Sequence, residues 1–154
     1  MFNIVLHQPQ IAPNTGNIIR LCANTGATLH LIKPLGFNIS DKKLRRAGLD
    51  YHDISSLVLH ESLEEFLRST LRKPIFAFST QGKTNMFQAN FVRNGFLIFG
   101  SETQGLPKSF LADLNPENSL KIPMVKTSRC LNLSNAVAIG VFEAWRQIAF
   151  DGSS

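Results

Sequence analysis

Cys22 and Cys130 are the only cysteines in the chain, and they form no C-x-x-C pattern. A disulfide framework and a cysteine-based zinc site are thereby excluded, and the usage suits a reducing compartment. No apolar run reaches the ~18 residues that a membrane span needs. The opening stretch MFNIVLHQPQ lacks the basic start and long apolar run of a signal peptide. The expectation is a cytoplasmic protein with no membrane partner. Acidic residues are scarce, 11 Asp and Glu against 16 Lys and Arg, for a formal net charge of +5. That balance permits a polyanionic partner and is equally compatible with a merely basic globular protein. Charged residues of both signs total only 18%. More of the surface must then be neutral or apolar, which points to self-association.

Familiar phosphate and metal motifs are missing as well. No G-x-G-x-x-G follows the first apolar run, so the usual dinucleotide crossover is absent. Gly100 and Gly105 have P-loop spacing, but Leu106 and Pro107 stand where Lys and Ser or Thr are required. The histidines His7, His30, His52 and His60 show no ligand spacing, and no metal is expected. Ser101 and Ser134 have no His base nearby in the sequence, so nothing supports a serine hydrolase.

What is present is an alternation. A hydrophobic fraction of 44% in 154 residues suffices for the core of one domain over 1–154. Strands are expected at 2–7, 28–34, 55–60, 74–80, 95–100 and 119–123, and helices at 14–26, 40–48, 62–72, 107–114 and 134–150. Strand and helix in turn imply an α/β fold, a parallel sheet with helices on both faces. Ligands in such folds bind beyond the carboxyl ends of the strands. The segments there, 8–20, 80–94, 100–107 and 123–135, are rich in Gly, Asn, Ser, Thr or Pro.

Three of these segments carry candidate chemistry. In PNTGNIIR, Asn14, Asn17 and Arg20 are spaced by three and share a helix face. Either Asn14 is a cap and Arg20 a surface residue, or Arg20 is aimed at a phosphate near the helix N-terminus. In FLIFGSETQGLP, Glu102 is either a capping carboxylate or part of a site opened by Gly100 and Gly105. In IPMVKTSRCLNLSN, Thr127, Ser128, Arg129, Asn132, Ser134 and Asn135 are packed ahead of the last helix. N-capping by Asn132 or Ser134 accounts for one of them and not for all. That helix is apolar on two sides, with Val137, Val141, Trp145 and Ile148 on one and Ala138, Phe142 and Ala149 on another, so it needs two burying surfaces.

The segments NTGNIIR, FLIFGSETQGLP and IPMVKTSRCLNLSNAVAIGVFEAWRQ, in that order, resemble the three motifs of the SpoU/TrmH branch of the SPOUT methyltransferases. The short length, IRLCANTG, LRRAGLDY and FEAWRQ make the TrmL (YibK) group the nearest likeness. The resemblance implies a SPOUT fold with a C-terminal trefoil knot, and a homodimer closed through the C-terminal helix and knot region. It implies transfer of a methyl group from S-adenosylmethionine to the ribose 2′-hydroxyl of the wobble nucleotide of leucine tRNAs, leaving S-adenosylhomocysteine. Phe78, Thr80, Gly100, Ile122, Met124, Cys130, Leu131 and Leu133 match cofactor-binding positions, although relatives often carry Ser at the position of Cys130. Arg20, Glu102, Asn132 and Ser134 match the catalytic set. The tRNA would lie on Asn14, Asn17, Lys33, Lys42, Lys43, Arg45, Arg46 and Arg129. The competing expectations are an enzyme of the same family acting on another tRNA position or on ribosomal RNA, a non-catalytic RNA-binding relative, and a small-molecule binding protein.

Overall fold

The short apolar runs become strands of one parallel sheet. The computed structural model describes residues 1–39, 57–70, 73–128 and 130–154. The basic helix expected at 40–48, with Lys42, Lys43, Arg45 and Arg46, lies outside the described residues, and so does Arg129. Along the described chain run β1 (Asn3–His7), α1 (Ala12–Thr25), β2 (Thr28–Ile32), β3 (Val58–His60), α2 (Leu63–Ser69), β4 (Ile75–Phe78), β5 (Thr84–Asn85), β6 (Phe96–Phe99), α3 (Lys108–Asp113), β7 (Ser119–Lys121) and α4 (Leu133–Gln147). The seven strands are ordered β3-β2-β1-β6-β4-β7-β5, and every neighbouring pair is parallel. The two-residue β5 is too short to leave a periodic signal in the sequence.

Side-chain alternation explains why the strands read as continuous apolar runs: both faces are covered. Ile4, Leu6, Leu29, Leu31, Phe78, Leu97 and Phe99 point to one face, where they pack with Ile18, Ile19 and Cys22 of α1 and Val137, Val141, Ala144 and Trp145 of α4. Val5, Ile32, Ala77, Phe96 and Ile98 point to the other, against Phe66 of α2 and Phe110 of α3. Each large side chain fully buried this way contributes roughly 1.5–3 kcal/mol. Enclosure of Cys22 in this apolar layer pushes its thiol up to about 12, so it is an inert core residue.

Helix ends follow local chemistry. Ser62 caps α2 by accepting from the Glu65 amide at 3.1 Å. On α1 the expected cap is wrong. The helix begins at Ala12 with Ile11 as its N-cap, two residues ahead of the expected start at Asn14. Pro13, pre-set in φ, sits at home in the first turn. Ile11 has no side chain to cap with, so the orphan amides need another acceptor.

β2 and β3 bring together an imidazole pair, His60 buried and His30 half-buried. His30 Nδ1 and His60 Nε2 are 3.0 Å apart, and Phe66 and Phe96 stand edge-on to His30. Burial first, then the charges of His60 and Lys73, push His30 down to about 4. Burial also lowers His60, against the opposing pull of Glu65, and lowers His7. The unfolded chain therefore binds protons before the folded one, and stability is full above the ordinary histidine range near pH 6.5. It is lost as the pH falls from there toward 4. Urea midpoints measured across that window should drop progressively, and the drop should be smaller in His30→Gln.

Candidate functional site

The site grows from one unmet requirement, the bare N-terminus of α1. Glu102 meets it from the loop after β6. Its Oε2 accepts from the Gln10 amide at 2.8 Å and its Oε1 from the Ile11 amide at 3.1 Å. A carboxylate at that end also suits the helix dipole. The same Oε1 accepts from Asn14 Nδ2 at 3.0 Å. Asn14 is buried, 6% exposed, and its Oδ1 accepts from Asn132 Nδ2 at 2.9 Å. Asn132 is the N-cap of α4, its Oδ1 accepting from the Ser134 amide at 2.9 Å, the Asn135 amide at 3.4 Å and the Ser134 hydroxyl at 2.7 Å.

This chain of bonds has one polarity. Glu102 can only accept, which turns the Asn14 amide group toward it and the Asn14 carbonyl toward Asn132. Asn132 must then donate to Asn14 and present its own carbonyl to α4. Three loops distant in sequence are thereby locked in one arrangement.

The Glu102 loop is shaped by glycine. A Cβ on Gly100 would lie 2.1 Å from the Gly105 carbonyl carbon, so only glycine lets the two strands of the turn meet. Gly105 has φ +68 and donates to the Ser101 carbonyl at 3.0 Å, a left-handed position that glycine occupies without strain.

Beside the lock opens a cavity of about 470 Å³ at the carboxyl ends of β4, β6 and β7, where a parallel sheet places its ligands. Phe78, Thr80, Gly100, Ile122, Met124, Cys130, Leu131 and Leu133 all line it, as do Asn14, Glu102 and Asn132. The eight candidate cofactor positions thus lie together on one wall. Arg20, Asn17, Lys33 and Ser134 are not on its wall. Arg20 and Asn17 lie on the exposed side of α1, Ser134 stands behind Asn132, and Lys33 is ion-paired with Glu61 at 2.7 Å. Asn14 and Asn17, expected on one helix face, differ in burial: Asn14 is buried and bonded to Glu102, while Asn17 is exposed. Sequence reasoning missed the Gln10 and Ile11 amides, which carry no side-chain signal, and Lys108, which lines the cavity. Among the described residues no group of His, Cys, Asp or Glu converges to hold a metal ion.

Comparison with known proteins agrees with this geometry. The model of the SpoU rRNA Methylase family matches residues 1–142. A tRNA (cytidine(34)-2'-O)-methyltransferase of Saccharophagus degradans is 50% identical, the match covering 99% of this chain and 99% of that protein. A solved structure from work on the 2-OH methylation of C/U34 on tRNA superposes with a TM-score of 0.90 at 44% identity, covering 97% of both chains. The SpoU methyltransferase AviRb of Streptomyces viridochromogenes, solved in complex with the cofactor AdoMet, superposes with a TM-score of 0.79 at 25% identity, covering 98% of this chain and 58% of that one.

Replacing Glu102 by Gln tests the lock. Both Glu102 oxygens face backbone N–H groups, which cannot turn away, so either placement of the Gln amide group leaves one of them facing a donor. Glu102→Gln should cost about 1–3 kcal/mol in urea unfolding; an unchanged midpoint would show that the carboxylate is dispensable.

Proposed function

Because the chain belongs to the SpoU rRNA Methylase family, we propose that it is an S-adenosylmethionine-dependent tRNA methyltransferase acting on the ribose 2′-hydroxyl of cytidine or uridine 34. The finer reading places leucine tRNAs as acceptors and the cytoplasm as location. The observation that carries the proposal is the convergence of all three motif segments on one cavity, in a chain matched end to end by a tRNA (cytidine(34)-2'-O)-methyltransferase.

The cavity fits the cofactor. Its size lies within the ~300–1,000 Å³ usual for small-molecule sites. Phe78, Ile122, Met124, Leu131 and Leu133 offer apolar walls for an adenine ring, and the exposed Cys130 lies among them. The close approach of Gly100 to Gly105 brings backbone polar groups to the wall. When bound, the cofactor supplies an electrophilic methyl group on a sulfonium that leaves as a neutral thioether, so no acid is required for departure.

The chain's task is then to bring a ribose hydroxyl into line and to stabilise the charge it develops as the O–CH3 bond forms and the hydroxyl proton passes to solvent. Both Glu102 oxygens already accept hydrogen bonds from the start of α1, so it serves as a positioning residue. The role of Arg20 in this reading is to grip the phosphate beside the acceptor and stabilise developing alkoxide charge. Asn132 and Ser134 hold the cofactor loop, and Asn14 serves the RNA side by fixing α1 to that loop. Asn17, Lys33, Lys42, Lys43, Arg45, Arg46 and Arg129 remain the basic and polar footprint for tRNA, with Lys33 engaged by Glu61 in the RNA-free chain.

Arg20 lies outside the cavity of its own chain, which favours a site completed by a second copy. Phe142 and Phe150 are exposed at 48% and 40% beside α4's buried face, and an apolar surface of this kind suits a homodimer through α4. The trefoil knot belongs to the same reading. Its support is the position of β7, late in the chain, between the consecutive strands β4 and β5. The alternative of another tRNA position or ribosomal RNA is disfavoured by the full-length match at 50% identity.

Incubation with labelled S-adenosylmethionine and total tRNA should place the label on the 2′-oxygen of nucleotide 34; label at another nucleotide would overturn the proposed acceptor. Arg20→Ala should abolish transfer, by about 100-fold or more for a lost charge-stabilising group, with calorimetric cofactor affinity kept. Equal loss of cofactor binding would make Arg20 structural.

A further inference from the structure

Glu102 and Lys108 are the two charged side chains on the cavity wall among the described residues. Glu102 is committed to α1, which leaves Lys108 as the wall's one charge open to a ligand. No carboxylate among the described residues pairs with it. Its placement also runs against local helix chemistry. Lys108 opens α3, behind the N-cap Pro107, with no acidic residue in the first turn. A cation there faces the positive end of the helix, where an acid or a neutral residue would be more stable. The position is thus better explained by the cavity than by the helix.

The geometry points to Lys108 as an anion-recognition residue of the cavity, and the anion as the carboxylate of the cofactor's amino-acid end. This rests on the adenosylmethionine reading above. Among the described residues the remainder of the lining is neutral, suited to the nucleoside; the cofactor's other end carries a carboxylate, for which Lys108 is the cationic partner among them. Phosphate of the RNA backbone offers similar chemistry, and the test separates the two.

Calorimetry with S-adenosylhomocysteine and with 5′-methylthioadenosine, which keeps the nucleoside and thioether but lacks the carboxylate, isolates the contact. Lys108→Met should weaken S-adenosylhomocysteine by about threefold to fivefold, as befits an exposed ion pair. It should leave 5′-methylthioadenosine within about 1.5-fold, and Lys108→Arg should recover most of the loss. Equal weakening of both ligands, or of neither, overturns the assignment. If neither weakens while the KM for tRNA rises and its salt dependence flattens, the anion is phosphate and the carboxylate assignment falls. Failure of the unaltered protein to bind either ligand would instead refute the cofactor reading itself.

Discussion

The arrangement depends on a carboxylate that accepts hydrogen bonds it did not have to share. Helix α1 opens on Ile11, which cannot cap it, and Glu102, in the loop after the neighbouring strand β6, takes the Gln10 and Ile11 amides. A local deficiency in helix capping is thereby turned into a long-range tie. Asn14 and Asn132 extend it to the N-terminus of α4. Glu102 can only accept and the Ser134 and Asn135 amides can only donate, so the two ends of the chain of bonds together dictate the orientation of both side-chain amides. The loop before α4, helix α1 and the Glu102 loop are held by one continuous network, and such networks are worth most when every member is satisfied.

That organisation separates two kinds of surface. Among the described residues the cavity wall is neutral apart from Glu102 and Lys108. Arg20 and Asn17 are displayed on the outer side of α1, where a polyanion can reach them. The sheet provides the rigid base: α1 and α4 share one buried layer, so the lock joins elements already packed together.

Much of this was legible in the sequence. Apolar runs such as FLIF read as strands buried on both faces, the helix at 134–150 has clear periodicity, and loops rich in Gly, Asn, Ser and Thr follow the strands. The cofactor set came from motif likeness, and all eight positions line the cavity. The start of α1 was misread because Asn14 has the side chain of a cap, and the real capping group lies 88 residues away in sequence. β5 left no signal because two residues cannot show a period. The burial of His30 against His60 depends on parallel register between β2 and β3, which no local pattern encodes.

The central claim is that Glu102 and Asn132 act through Asn14 as one unit. A double-mutant cycle on S-adenosylhomocysteine affinity, with Glu102→Ala, Asn132→Ala and the pair, measures that coupling directly. The account predicts that the combined loss falls short of the sum of the single losses by about 1 kcal/mol or more. Strict additivity would mean that the two residues act independently, and would contradict it.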